Sequence, residues 1–330
     1  MKLKKEYILL IGVIAALVLY LSTRSLNQDG EKLPQPSKLE NAAINRLVLT
    51  DKQNAPLELV KKDDRWVIEP KGYPADSAKV KNMVNSLSDL TLTALVSESG
   101  NYERYGLAAG EKIFVQAFSD GSPVRVFSIG KAAPTYQHTF VVLEGDPRVY
   151  HARGQLERTF DQSIDSLRDK TIFAIDKQSI TGLTLKKGQK TLALVKKESR
   201  QPETPPETEK AETPAQPPAQ PPATEWRDDG GRAADQNSVD QLLSAIDHLD
   251  CDAFLEDQAK TQLGEALWTI SFKRAEEEYS LSVHPKLDEN ADKMPATAST
   301  MTQAFLLNQT RIKNIEKDLN RLLGIEEEKK

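Results

Sequence analysis

Hydrophobic residues follow the same order in two separate stretches of this chain. In the first stretch they stand at Ile44, Leu47, Leu49, Leu59, Val60, Trp66, Ala75, Val80, Met83, Val84, Leu87 and Leu90. In the second they stand at Ile180, Leu183, Leu185, Leu194, Val195, Trp226, Ala234, Val239, Leu242, Leu243, Ile246 and Leu249. From Asp76 and from Asp235 onward, the steps between them are identical at four, three, one, three and three residues.

Each copy of this pattern predicts strands that lead into one amphipathic helix. Alternation by two residues indicates a strand, whereas steps of three and four indicate one face of a helix. A hydrophobic stripe of this width is typical of a helix that covers a sheet. We therefore predict an α+β fold with two similar, duplicated domains, each a mostly antiparallel sheet with one main covering helix.

The first predicted domain covers residues 42–175. Asp76 or Ser77 is expected to cap its helix, because both residue types accept hydrogen bonds from the first helical N–H groups. Short helical structure is expected at 155–160. Strands are expected at 44–49, 57–60, 65–69, 113–118, 124–129, 139–143 and 149–152.

The second predicted domain covers residues 176–325, and a charged tail follows at 326–330. We match 265–272 to 111–118, 279–283 to 124–128, and 304–307 to 139–142, and we expect a loop at 289–302. Residues 198–224 are an insertion that holds eight of the 18 prolines. It has too few hydrophobic residues to bury, so we predict disorder there, in a hairpin loop that tolerates extra length.

The N-terminus has the pattern of a membrane anchor. Lys2, Lys4 and Lys5 precede the apolar run, which we assign to a transmembrane segment at 7–23, and Arg24 follows it. This charge bias places residues 1–6 in the cytoplasm and the bulk of the chain outside the inner membrane. Residues 24–41 are expected to be a linker. A cleaved signal peptide and a buried soluble helix are the alternatives.

Composition excludes several classes of function. The chain has 330 residues and a net charge of -5, and no basic stripe with interleaved aromatic residues appears, so nucleic-acid binding is not expected. The single cysteine, Cys251, rules out an intrachain disulfide and cysteine-based metal motifs. The sequence gives no indication of an oligomeric state.

Several residues invite a functional interpretation, but each has a simpler structural one. His138, His151 and His248 lack metal-ligand spacing, and Asp76 and Asp235 each precede a helical stripe as N-caps do. Cys251 lies between two aspartates that disfavour its thiolate. We interpret Trp66 and Trp226 as core residues and 168–170 as a salt-bridged turn. We therefore predict no catalytic, cofactor-binding or metal-binding residue, and no cofactor.

Several short motifs resemble those of the bacterial domain of unknown function family forty-three forty (DUF4340). They are the Ile-x-x-Leu-x-Leu opening at Ile44 and its restart at Ile180, Trp66, Pro74-Ala75-Asp76, Tyr105-Gly106-Leu107 and Leu167-Arg168-Asp169-Lys170. Members of that family are membrane-tethered extracytoplasmic proteins, commonly encoded beside gliding-motility-like ABC transporter genes. The Pro-rich insertion departs from the family's usual pattern.

The resemblance implies a non-enzymatic accessory component of an ABC-type transporter system. Its expected partners are the inner membrane, through residues 7–23, and a transporter permease or auxiliary subunit. The alternative is a cell-envelope structural or binding protein unrelated to a transporter. An enzyme is the least favoured of the three interpretations, because no nucleophile, phosphate-binding or acid–base motif is present in the sequence.

Overall fold

Antiparallel β-sheets carry the structure in both halves of the chain. A computed structural model of the protein describes residues 12–20, 33–53, 55–198, 224–255, 263–289 and 291–325. Contacts divide the chain into two units, Met1–Asp169 and Lys170–Lys330. Mostly antiparallel sheets with a few helices were expected, and this part of the α+β prediction is confirmed.

The first unit has one nine-stranded sheet. Its strands are β1 (Arg46–Thr50), β2 (Pro56–Lys62), β3 (Arg65–Glu69), β4 (Tyr73–Pro74), β5 (Leu92–Ser97), β6 (Ile113–Ser119), β7 (Ser122–Ala132), β8 (His138–Leu143) and β9 (Val149–Arg153). Their order across the sheet is β4-β3-β2-β1-β6-β7-β8-β9-β5. Between residues 33 and 169, the helices of this unit are α1 (Ser77–Ser88), α2 (Leu156–Phe160) and α3 (Ile164–Leu167).

Helix α1 forms where the hydrophobic stripe predicts it. The carboxylate of Asp76 accepts hydrogen bonds from the N–H groups of Ala78 and Lys79, both at 3.0 Å, so Asp76 rather than Ser77 is the N-cap. The helix buries one face in the main core of the unit. That face consists of Val80, Met83, Val84 and Leu87.

The segment before β1 packs on the first unit. Leu33 and Leu39 contact the main core, and the N–H of Leu39 donates to the carbonyl oxygen of Ser88 at 3.4 Å. The carbonyl oxygen of Ser37 accepts a hydrogen bond from the guanidinium of Arg125. Residues 33–41 of the predicted linker therefore lie against the body, and the rest of that linker lies outside the described residues.

The second unit has an eight-stranded sheet and a two-stranded one. Its strands are β10 (Thr171–Ala174), β11 (Gly182–Lys187), β12 (Lys190–Glu198), β13 (Thr224–Asp228), β14 (His248–Asp250), β15 (Ala253–Phe254), β16 (Trp268–Arg274), β17 (Glu277–Val283), β18 (Lys293–Ala298) and β19 (Phe305–Asn308). The larger sheet has the order β13-β12-β11-β16-β17-β18-β19-β15, and β10 pairs with β14. The helices are α4 (Gln236–Ile246) and α5 (Gln309–Leu322).

The structure corrects three details predicted for the second unit. Strand β18 lies inside the expected loop at 289–302. Two long helices are present instead of one main helix, and Arg321 of α5 donates to Ser238 Oγ of α4 at 3.3 Å. Residues 304–307, at strand β19, were matched above to 139–142, which lie in β8. In the second sheet, however, β19 lies between β18 and β15, just as β9 lies between β8 and β5 in the first sheet.

The anchor and the insertion fall largely outside the described residues. Of the predicted segment at 7–23, residues 12–20 form an exposed helix, which the alternative of a buried helix does not fit. A helix long and apolar enough to cross a membrane was not found in the part of the chain that the structure describes. Residues 199–223 and the tail at 326–330 are not described, but β12 and β13, on either side of the insertion, pair as a hairpin.

Candidate functional site

A pocket of about 340 Å³ lies on the outer face of the first sheet, opposite the face that packs on α1. Its floor is a row of three residues on neighbouring strands. Phe114 of β6 pairs with Ser128 of β7, and Ser128 pairs with Val142 of β8. We call this the outer pocket. Its remaining lining residues are Tyr102, Leu107, Lys112, Leu143, Glu144, Gly145, Asp146 and Pro147.

One wall of the outer pocket is the loop that crosses the outer face before β6. The loop contains a short 3-10 turn at Glu103–Tyr105, and Leu107 is buried beneath it. Tyr102 donates its hydroxyl hydrogen to the carbonyl oxygen of Pro147 at 3.0 Å, which joins this wall to the β8–β9 turn opposite. Phe140 packs under the same loop, with its ring 4.9 Å from that of Tyr105.

Two glycines allow the loop to approach the sheet closely. A Cβ on Gly130 would overlap the carbonyl oxygen of Tyr105 and lie 2.8 Å from Leu107 Cγ. Gly106 has φ +65°, a conformation that favours glycine. The Tyr105-Gly106-Leu107 turn is therefore built against Gly130, and its position sets the shape of the outer pocket.

The charged groups of the outer pocket differ in how they are balanced. Asp146 accepts two hydrogen bonds at 2.9 Å from the guanidinium of Arg148 and one at 2.7 Å from the hydroxyl of Tyr150. These bonds, those of Arg148 first, hold the pKa of Asp146 well below its usual range. In the part of the chain that the structure describes, Lys112 has no ion-pair or hydrogen-bond partner for its ammonium.

Ser128 is a polar residue on an otherwise apolar floor. It is only 8% exposed, and among the described residues its hydroxyl has no hydrogen-bond partner. A hydroxyl that lines a cavity and is not bonded to the protein can donate to a ligand.

A row of three paired residues in the second sheet has a different chemistry. Thr269, Ser282 and Thr297 pair across β16, β17 and β18. The hydroxyls of Thr269 and Ser282 are 2.9 Å apart, and Thr297 Oγ1 is bonded to His284 Nε2 at 3.1 Å. The hydroxyls of this row therefore bond to other side chains, unlike that of Ser128.

A larger groove of about 490 Å³ lies beside α1 and α2 in the first unit. All the side chains that line it are polar, namely Lys79, Asn82, Gln155, Arg158, Thr159 and Gln162. None of these side chains is buried, so water reaches all of them. It lacks the apolar floor that typifies ligand pockets, and we consider the outer pocket the better candidate site.

Two of the histidines considered in the sequence lie together. The rings of His138 and His151 stack at 5.6 Å on neighbouring strands, and Phe140 lies 4.9 Å from His151. Burial first, and then the nearby His138, lowers the pKa of His151. Within the described residues, no group of three or more His, Cys, Asp or Glu side chains could hold a metal ion.

The other candidate residues have structural surroundings. Asp235 caps α4 as Asp76 caps α1, and a hydrogen bond from Ser238 first lowers the pKa of Asp235. Cys251 is buried in the core of the second unit.

The turn at 168–170 makes structural contacts with β4. The guanidinium of Arg168 lies 3.8 Å from the centre of the Tyr73 ring, as in a cation–π contact. The N–H of Asp169 donates to the carbonyl oxygen of Pro74 at 2.9 Å. These contacts hold the C-terminal end of the first unit against β4.

Sequence reasoning missed the outer pocket, because its floor comes from three strands that are far apart in the chain. The one signal in the sequence was the Tyr105-Gly106-Leu107 turn, which is part of the family resemblance.

In comparison with known proteins, a family model described as a domain of unknown function (DUF4340) matches residues 66–266. A search of curated proteins and a search of solved structures each found no match.

Proposed function

The chain belongs to the domain of unknown function family DUF4340, and from this premise we propose a non-enzymatic, membrane-tethered periplasmic protein. Its role is that of an accessory component of an ABC-type, gliding-motility-like transporter system. The protein has one transmembrane helix at 7–23, with the N-terminus in the cytoplasm and the bulk of the chain in the periplasm. Its partners are the inner membrane and a permease or auxiliary subunit of the transporter.

The N-terminal sequence supports the tether. Residues 7–21 are uncharged, and as a helix they would span about 23 Å at 1.5 Å per residue. This is short of the hydrocarbon core of about 30 Å. In a transmembrane segment at 7–23, Ser22 and Thr23 would extend the helix, and the flanking lysines and Arg24 would reach the interface with their long side chains. The absence of an Ala-x-Ala motif at the end of the run favours an uncleaved anchor over a signal peptide.

We also infer that the two units are copies of one module. Strands β2, β1, β6, β7, β8, β9 and β5 follow one another in the first sheet as β12, β11, β16, β17, β18, β19 and β15 do in the second. Trp66 pairs with Lys61, and Trp226 pairs with Lys196. Each tryptophan carbonyl also accepts a 2.9 Å hydrogen bond from the alanine that precedes the helix cap.

One observation carries the proposal: the chain packs on the first unit almost as soon as the apolar run ends. Leu33, Ser37 and Leu39 contact the body, so a spacer after the apolar run can include at most residues 24–32. Nine residues reach at most about 30 Å when fully extended. The body is thus confined near the bilayer, which raises its effective concentration beside a membrane partner.

A pull-down from native membranes tests this function. The full chain is purified in mild detergent and its partners are identified by mass spectrometry, beside a control in which an unrelated single-pass anchor replaces residues 1–23. We expect a permease or auxiliary subunit with both chains, because the body makes the contact. If neither chain recovers such a subunit, the transporter role is wrong.

The second candidate is a cell-envelope structural or binding protein unrelated to a transporter, and the outer pocket is the observation that favours it. A pocket of about 340 Å³ is within the range of small-ligand sites. Neighbouring genes separate the two candidates. Genes for an ABC ATPase and permease beside this one favour the accessory role, and an isolated gene favours the envelope protein.

A further inference from the structure

The outer pocket has the shape and lining of a small-ligand site. Phe114 and Val142 provide apolar floor surface, and Leu107 and the ring of Tyr102 provide an apolar wall. Its volume of about 340 Å³ lies at the lower end of the range for ligand pockets, about 300–1,000 Å³. An apolar group of the size of a phenyl or branched alkyl side chain would fit this volume.

Lys112 supplies an unbalanced positive charge at one end of this floor. Lys112 directly precedes β6 and stands two residues before Phe114. It therefore lies on the same face of the sheet as Phe114. Because Ile113 pairs with Ile129, Lys112 and Ser128 are diagonal neighbours across the two strands. Such neighbours are about 7–8 Å apart, close enough for both side chains to reach one ligand group.

The two acidic residues of the pocket do not neutralise Lys112. The charge of Asp146 is balanced locally by Arg148, which holds it with two hydrogen bonds of 2.9 Å. Glu144 is exposed, and its N–H donates to the carbonyl oxygen of Val126, which places it toward the other end of the strands from Lys112. An anion beside Lys112 would therefore meet a cation that is not already paired with a carboxylate.

Ser128 adds a second, independent indication of a ligand. The residue is 8% exposed and lines the pocket, and its hydroxyl has no hydrogen-bond partner among the described residues. The equivalent Ser282 of the second sheet is bonded to Thr269 at 2.9 Å. A ligand oxygen above the floor would satisfy the hydroxyl of Ser128.

We propose that the outer pocket binds a carboxylate attached to an apolar group, with Lys112 pairing the carboxylate, Ser128 donating a hydrogen bond to it, and Phe114 and Val142 contacting the apolar part. The source of this group is either a peptide C-terminus or a free organic acid. The proposal goes beyond the accessory function and does not depend on it, because the pocket lies entirely within the first unit.

The test uses the full chain in phosphatidylcholine nanodiscs and ligand-observed saturation-transfer NMR, with empty nanodiscs as the blank. The probes are two acid–amide pairs: N-acetylphenylalanine with its amide, and 3-phenylpropionate with its amide. We expect at least one acid to bind with a Kd on the order of 1 mM, as for ligands of this size. That acid should bind about tenfold more tightly than its amide, because charge-assisted hydrogen bonds are the stronger kind.

Variants identify the residues that recognise the acid. Lys112→Gln is expected to reduce the acid-to-amide ratio from about tenfold to about one, and Ser128→Ala to weaken acid binding about threefold. Lys81→Gln, which removes an exposed lysine of α1, is the matched control and should leave the ratio unchanged. Preference for the N-acetylphenylalanine pair identifies a peptide C-terminus, and preference for the phenylpropionate pair a free acid. Equal binding of acid and amide, no binding, or a preference that survives Lys112→Gln overturns the proposal.

Discussion

Arg125 of β7 donates a hydrogen bond through Nη2 to the carbonyl oxygen of Ser37, 88 residues earlier in the chain. Arg125 is only 8% exposed, and burial lowers the pKa of its guanidinium. A buried cation of this kind is costly unless it is bonded. The contact therefore ties the segment before β1 to β7 of the first unit, and the body begins at that segment.

Replacing Arg125 should release this segment. Arg125→Met keeps a long apolar side chain but removes the bond to Ser37, at a cost of about 1.5–3 kcal/mol for a hydrogen bond from a charged group. Trypsin should then cut after Lys38 several-fold faster than in the wild-type chain, because cleavage requires local opening. Arg153→Met, which removes an exposed arginine of β9, is the control and should not change the rate. An unchanged rate in Arg125→Met would show that other contacts hold the segment.

Gly130→Ala should displace the loop that forms a wall of the outer pocket. The added methyl group would meet the carbonyl oxygen of Tyr105 and Leu107 Cγ, and overpacking of this kind costs about 1–3 kcal/mol. Hydrogen exchange at 102–107 should become faster. Gly182→Ala is the matched control, since its Cβ would have an ordinary 3.5 Å contact with Lys273. Unchanged exchange in Gly130→Ala would mean that the loop does not depend on this close approach.

The bonds to Asp146 should make the stability of the first unit sensitive to acid. The pKa of Asp146 is lower in the folded chain than its ordinary value of 3.8, so its bonds to Arg148 and Tyr150 stabilise the fold above that pH. The stabilisation is lost as the pH falls through the lower, folded value. The urea midpoint of wild type should exceed that of Asp146→Asn at neutral pH, and the difference should shrink below pH 3.8. A difference that does not vary with pH contradicts this.

Trp66 and Trp226 should contribute unequally to stability. Trp226 is 7% exposed, whereas Trp66 is partly exposed at the edge of its core. Trp226→Ala should therefore cost about 3–5 kcal/mol, and Trp66→Ala clearly less. Far-UV circular dichroism during urea unfolding measures both without relying on tryptophan fluorescence. A larger cost for Trp66→Ala would contradict the burial that distinguishes the two positions.

The sequence predicts best the strands and helices in which hydrophobic residues recur at one constant spacing along the whole element. Strand β3 (Arg65–Glu69) has the predicted bounds, and α1 begins after the predicted cap Asp76. Their core-facing residues alternate or recur every three to four positions, so one face is defined by the sequence alone.

The missed strands lack such a pattern. β5 (Leu92–Ser97) lies at the sheet edge with one buried residue, Leu92, and so does not alternate. β18 (Lys293–Ala298) contains Pro295 and two alanines, a composition typical of a loop, yet it lies between β17 and β19. Tertiary pairing determined both strands.

Matching the two halves by sequence also misaligned two strands by one residue. The match of 279–283 to 124–128 set Val283 against Ser128, whereas Ser282 has the position of Ser128 in the strand pairing. We matched Phe118 to Phe272. In the structure, Phe118 pairs with Arg46 at the start of β1, and Lys273 pairs with Gly182 at the start of β11, so Phe118 aligns with Lys273 instead. The pairing of β6 with β7 has a register irregularity between Ala117 and Phe118, so the residues of the two strands do not pair regularly there. Such a shift reverses which face a side chain occupies, and hydrophobic identity alone cannot detect it.

The central claim is a body held outside the inner membrane by an N-terminal anchor, and a pair of reporters tests it most directly. Alkaline phosphatase, which is active only outside the cytoplasm, and a reporter active only in the cytoplasm are each fused after Lys330 in the full chain. The account predicts an active phosphatase in the membrane fraction and an inactive cytoplasmic reporter, because the positive charges precede the apolar run. An active cytoplasmic reporter with an inactive phosphatase would contradict it.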